Sequence, residues 1–141
     1  MQLNGDGSLH NWDLCGYPGY PLDGCPLVAL PEEFGAVRTT GDLDLSHNRL
    51  ASLPESFGSI RVGGDLSLYG NQISSLPESF GSIRVGGDLH LYRNQISSLP
   101  ESFSNVTVGE TLVLKYGGEE MGPALATARQ MSFPNVKEVW K

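Results

Sequence analysis

The chain has 141 residues, 39% of them apolar, and a formal net charge of −7. That is enough for one small hydrophobic core in one domain, and the wrong balance for nucleic acid, which wants Lys and Arg gathered on one face. No apolar run reaches the roughly 18 residues of a membrane helix, and Met1 to Asp6 has neither a basic start nor an apolar signal core, which favours the cytoplasm.

Residues 1–29 lead in irregularly. Cys25-Pro26-Leu27-Val28-Ala29-Leu30-Pro31 aligns with Asn48-Arg49-Leu50-Ala51-Ser52-Leu53-Pro54, which puts Cys25 at an asparagine position and a strand at Tyr20 and Leu22. A competing register puts a strand at Trp12-Asp13-Leu14, with Gly16 to Gly24 as an inserted loop. Two worn strands, one at each place, are expected. Cys15 and Cys25 are the only cysteines; a disulfide across the loop in an oxidising compartment is one reading, two free buried thiols the other.

The middle of the chain repeats itself. Residues 53–75, LPESFGSIRVGGDLSLYGNQISS, return at 76–98 as LPESFGSIRVGGDLHLYRNQISS, with Ser67 becoming His90 and Gly70 becoming Arg93. The same unit is legible at 30–52 and, worn, at 99–118. Self-similarity at a period of roughly 20–50 residues predicts a solenoid in which each unit buries its apolar side against the next copy. Alternation at Leu66, Ser67 and Leu68 turns the leucines inward and Ser67 outward on a short strand, whose partner is the same strand one copy along. Gly63-Gly64 and Gly86-Gly87 fit a tight return before the strand. Pro54, Pro77 and Pro100 open an outer run too short and wrongly spaced for a helix. Phe34, Phe57, Phe80 and Phe103, with Val37, Ile60, Ile83 and Val106, are expected to fill the outer half of the core. Eighteen glycines and nine prolines then mark turns in every unit and not disorder.

The string L-x-L-x-x-N-x-L recurs as Leu43, Leu45, Asn48, Leu50; as Leu66, Leu68, Asn71, Ile73; and as Leu89, Leu91, Asn94, Ile96. It resembles the leucine-rich repeat family, and more narrowly the 23-residue class with L-x-x-L-P entering the outer segment, as in Leu50-Ala51-Ser52-Leu53-Pro54. The resemblance covers roughly residues 20 to 118. It implies an α/β solenoid, a right-handed superhelix with short parallel strands on the concave side and turns and 3₁₀ segments on the convex side. It also implies a non-catalytic module that binds protein or peptide on the concave sheet, without a cofactor. Cys25 at the asparagine position is a replacement that the family also uses. Similar arrays sit beside GTPase, kinase and ubiquitin-ligase domains, so a recognition or spacer segment of a larger signalling enzyme or receptor is an alternative; a purely structural array from tandem duplication is another.

Toward the C-terminus Gly117 stands where the asparagine would fall, and after Gly118 the period changes. Met121, Leu125, Ala128 and Met131 fall on one helical face, and Pro123 suits a first turn. Phe133-Pro134-Asn135-Val136-Lys137-Glu138-Val139-Trp140 resembles the F-P-N-L-x-x-L string that opens a strand in longer, helix-bearing leucine-rich repeats. A helix and strand at 119–141 are therefore expected to cap one domain spanning 1–141. The end at Lys141 reads either as a cut from a longer protein or as a final strand blunted by Lys137, Glu138 and Lys141.

Outward positions form columns: Asp42, Asp65, Asp88, Thr111; Asp44, Ser67, His90, Val113; and Ser46, Tyr69, Tyr92, Lys115, with His47, Gly70, Arg93 and Tyr116 beside them. Stacked aspartates repel by on the order of 1 kcal/mol per neighbour in water. One reading is an acidic stripe receiving Lys, Arg or a cation; the other is a carboxylate capping the glycine turn. Tyr69 and Tyr92 are either contact residues or rings stacked only on each other. The expected partner-binding set is Asp44, Asp65, Ser67, Tyr69, Asp88, His90, Tyr92 and Arg93, facing a protein or peptide of basic character. Asn48, Asn71 and Asn94 form a structural ladder, each amide satisfying backbone groups inside a bend. No catalytic spacing emerges from His10, His47 and His90. Gly63-Gly64-Asp65 lacks the phosphate-loop pattern, and metal binding by His47 with neighbouring aspartates is set against solvated side chains. Asn105-Val106-Thr107 matches the glycosylation pattern without a secretory signal beside it.

Overall fold

The computed structural model describes residues 4–10 and 27–141. The strands expected at Trp12-Asp13-Leu14 and at Tyr20 and Leu22, and both cysteines, lie outside those residues. The elements in chain order are β1 (Leu9–His10), β2 (Arg38–Thr39), β3 (Leu43–Asp44), β4 (Arg61–Val62), β5 (Leu66–Ser67), β6 (Arg84–Val85), β7 (Leu89–His90), β8 (Thr107–Val113), β9 (Lys115–Tyr116), β10 (Glu119–Glu120), the helical turn α1 (Leu125–Ala128) and β11 (Val136–Trp140).

Two parallel ladders run through the coils. The inner ladder is β1-β3-β5-β7-β8 and the lateral ladder is β2-β4-β6-β8, so β8 joins them into one nine-stranded sheet that includes β11. On the inner ladder Leu43, Leu66, Leu89 and Leu112 stand in register; on the lateral ladder Arg38, Arg61, Arg84 and Thr107 do. A glycine pair separates the two ladders in the coils of β4–β5 and β6–β7, because there is no room for a side chain against the preceding coil. A Cβ on Gly86 would lie 2.2 Å from the Gly63 carbonyl oxygen, well inside contact distance. Where Glu110 replaces the second glycine, the strand runs on unbroken as β8.

The convex side is made of 3₁₀ segments at Glu32–Ala36, Glu55–Ser59, Glu78–Ser82 and Glu101–Asn105. Each follows a proline in extended conformation, whose carbonyl accepts from the phenylalanine N–H three residues on, as in Phe57 N to Pro54 O at 2.9 Å. The bond closes a three-residue turn and buries the ring. Phe34, Phe57, Phe80 and Phe103 stack at 5.9–6.0 Å, and Phe133 closes the row edge-on at 5.6 Å. Serines tie the segments together from outside: the hydroxyls of Ser56, Ser79 and Ser102 donate to the carbonyls of Glu32, Glu55 and Glu78.

The C-terminal region departs in detail from the helix expected over 119–132. Glu119–Glu120 pairs antiparallel with Lys115–Tyr116 around Gly117 at φ 63, and Gly122 at φ 136 with Pro123 delays the helix to one turn. Met121, Leu125 and Ala128 are nonetheless buried together. The closing strand pairs Val139 with Leu112 and Trp140 with Val113. Lys137 meets Glu110 at 3.4 Å, and the Lys141 ammonium donates to the carbonyls of Arg129 and Met131.

Candidate functional site

The open side of the inner ladder carries a row of rings. His47 meets Tyr69 edge-on at 5.1 Å; Tyr69 and Tyr92 stack at 4.8 Å with an interplanar angle of 6°. Tyr92 leads to Tyr116 at 5.4 Å, and Tyr116 to Trp140 at 6.4 Å. His90 stands edge-on to both Tyr69 and Tyr92. The two tyrosines are half-buried, while Tyr116 is 57% and Trp140 45% exposed, so the row opens toward the C-terminal end. Partial burial, followed by the neighbouring phenols of Tyr69 and Tyr116, pushes the Tyr92 hydroxyl above its ordinary pKa.

The row rests on the asparagines. The Asn71 side-chain carbonyl accepts from Leu50 N at 3.1 Å, and its amide donates to Leu45 O and Leu68 O at 3.0 Å. Asn48 makes the same kind of bonds to Leu27 N and Leu45 O, and Asn94 to Ile73 N, Leu68 O and Leu91 O. Asn48 and Asn71 are 5% and 6% exposed; Asn94, beside the β9–β10 hairpin, is half-buried. These bonds turn the backbone away from the sheet directly after the tyrosines.

At that turn the chain enters left-handed conformation, with φ 57 at His47, 74 at Gly70 and 57 at Arg93. Glycine takes it without strain, so the substitution of Gly70 by Arg93 in the next copy places a long cation where the backbone resists it. A Cβ on Gly70 would come 3.0 Å from the His47 ring.

The aspartate column is cross-linked lengthwise. The Oδ1 atoms of Asp42, Asp65 and Asp88 accept the backbone N–H of Asp65, Asp88 and Thr111 at 2.8, 2.8 and 2.9 Å. One oxygen of each carboxylate thus ties adjacent coils, which offsets the repulsion along the column. Asp44 is likewise engaged, accepting from the Ser46 backbone N–H and hydroxyl. Ser67 and His90 follow it in register. The second Asp88 oxygen lies 4.0 Å from His90 Nε2, whereas His90 Nδ1 is buried without a hydrogen-bond partner among the described residues. Ligand atoms of Asp65, Asp88 and His90 fall within 4.8 Å of one another, a spacing a cation could use.

Asp44, Asp65, Ser67, Tyr69, Asp88, His90, Tyr92 and Arg93 therefore lie on the inner ladder and the turns on either side of it. Two features escape a reading by columns on one strand. Trp140 joins the row from a coil without the 23-residue period, and Arg38, Arg61 and Arg84 form a column of their own on the lateral ladder; their equal spacing was the available signal.

A solenoid with an open parallel sheet and a convex rim of 3₁₀ turns is the class this architecture defines. The leucine-rich repeat family model matches residues 42–60, a stretch that includes one inner strand, its asparagine turn and one 3₁₀ segment. Since strand and 3₁₀ turn recur in successive coils, the architecture of the chain fits a leucine-rich-repeat protein. Such repeats generally mediate protein binding. No curated protein matches the chain. Among the described residues no helix is long and apolar enough to cross a membrane.

Proposed function

We propose that the chain is a non-catalytic binding module that takes a peptide or protein segment of basic character on the inner ladder. The observation that carries this reading is the row from His47 to Trp140, aromatic surface left open on the face of a sheet. Tyrosine, tryptophan and arginine are the residues that dominate interface energetics. Beside the row, the carboxylates of Asp65 and Asp88 keep one oxygen each beyond their backbone bond, enough to receive Lys or Arg. His47 and Arg93 support the reading against a purely structural array, because a repeat selected only for stability would keep glycine at that turn.

Selection of an unbiased displayed-peptide library on the full chain tests it. Enriched sequences should carry Lys or Arg, and Tyr69→Ala with Tyr92→Ala should weaken them by at least about tenfold, a loss of about 1.4 kcal/mol, without loss of cooperative melting. Peptides that bind the double variant as tightly as the parent would move the site elsewhere.

A further inference from the structure

The lateral ladder carries the opposite charge. Arg38, Arg61 and Arg84 stand in register, one per coil, on strands about 4.7–4.9 Å apart, and Thr107 ends the column on β8. They are three of only nine Lys and Arg in an acidic chain. Among the described residues the ion pairs are His90 with Asp88 and Lys137 with Glu110, so no described carboxylate neutralises this column. Like charges at that spacing repel by on the order of 1 kcal/mol per neighbour in water. Partial burial, and after it the charges of Arg84 and Arg38, lower the Arg61 pKa.

The three guanidiniums are not equally engaged. Arg38 Nη1 donates to the carbonyls of Gly35 and Val37, and Arg61 Nη1 to those of Gly58, Ile60 and Ser82. Those bonds close the ends of the 3₁₀ turns and have a structural use. Arg84 makes no hydrogen bond or ion pair with the described residues and is exposed, which leaves its whole donor fork to solvent. Along the column runs an open groove of about 420 Å³, lined by Thr39, Arg61, Val62, Arg84, Val85 and Thr107 together with Gly63, Gly86 and Gly109. The glycines leave that wall bare of side chains, so another backbone can come close.

We infer that this groove is a second binding surface, distinct from the inner face, and that it takes an extended acidic peptide segment whose carboxylates bridge neighbouring guanidiniums. The planar arginine fork matches a carboxylate in two-point geometry. A short acidic segment meets only the local field, because charges beyond a Debye length of about 8 Å are screened at physiological salt. A long nucleic-acid strand would also run against the acidic remainder of the molecule.

Fluorescence anisotropy on the full chain, with a labelled peptide of alternating glutamate and serine as probe, tests the inference. The probe should bind, and binding should weaken as salt rises. Arg84→Glu should reduce affinity by more than about tenfold without lowering the melt, since Arg84 has no partner among the described residues to lose and the change relieves repulsion from Arg61. Arg84→Ala should give a smaller loss in the same direction, and Tyr92→Ala no loss. Absence of binding to the parent chain, equal binding by Arg84→Glu, or tighter binding of a labelled oligonucleotide of equal charge would each overturn it.

Discussion

The inner and lateral ladders pass through the same coils, a short turn apart until β8 joins them, and carry opposite chemistry. On the inner ladder the outward residues change from coil to coil, from Asp44 to Ser67 to His90, beside a row of rings, and the column ends on Val113, which is buried. On the lateral ladder Arg recurs three times without change. The net charge of a solenoid therefore says little about its surfaces. A residue fixed in the unit becomes a column, and a column of three cations persists in a chain whose sum is −7. Two kinds of position also separate: the changing outward sites suit recognition of a particular sequence, the constant arginines recognition of a kind of charge.

The greatest loss should come from removing what shapes the inner ladder while leaving the lateral one alone. Asn71→Ala leaves the Leu50 N–H without its acceptor and takes one of two amide donors from each of the carbonyls of Leu45 and Leu68, which keep Asn48 and Asn94. Urea unfolding should show a loss of about 1–3 kcal/mol, and an unchanged midpoint would contradict the ladder. A lesser effect of opposite sign is expected for Arg93→Gly. Relief of a left-handed backbone is worth about 1–2 kcal/mol, reduced by about 0.5–1 kcal/mol for the greater freedom of glycine in the unfolded chain. Stability should rise slightly while affinity for selected basic peptides, measured alongside, does not.

The weakest response is a pH dependence confined to the inner face. Because the folded Tyr92 pKa is raised, the folded state holds its proton longer than the unfolded chain does. The contribution is fully present below about pH 10, the ordinary tyrosine value, and is lost as pH climbs from there through the folded value. Melts in alkaline buffer should therefore fall less steeply for Tyr92→Phe than for the parent, and identical slopes would show that the phenol feels no such surroundings.

Much of this was legible in the sequence because a solenoid repeats its environment. Once Leu66 and Leu68 face inward, so do Leu43, Leu45, Leu89 and Leu91, and one phenylalanine per unit can only stack on the next. What the period did not supply was structure made between units or outside them. Arg61-Val62 is too short to alternate, and it becomes a strand only because Arg38-Thr39 and Arg84-Val85 lie beside it. The aspartates read either as an acidic stripe or as caps of their own turn, whereas one oxygen of each bonds the coil that follows. Leu9–His10 pairs with Leu43–Asp44 across a span longer than the repeat, so counting back by the period from Leu43 misses it. The helix shrank to one turn because Gly122 and Pro123 follow a strand pair that has no counterpart in the regular units.

Whether the row of rings on the inner ladder receives the partner can be read from ring-proton chemical shifts, followed by NMR while a library-selected basic peptide is titrated into the full chain. Shifts should concentrate at Tyr69, Tyr92, Tyr116 and Trp140 and saturate together. Saturable binding that leaves those four rings unmoved, with changes gathered at Phe57 and Phe80 on the convex side, would contradict the assignment of that face.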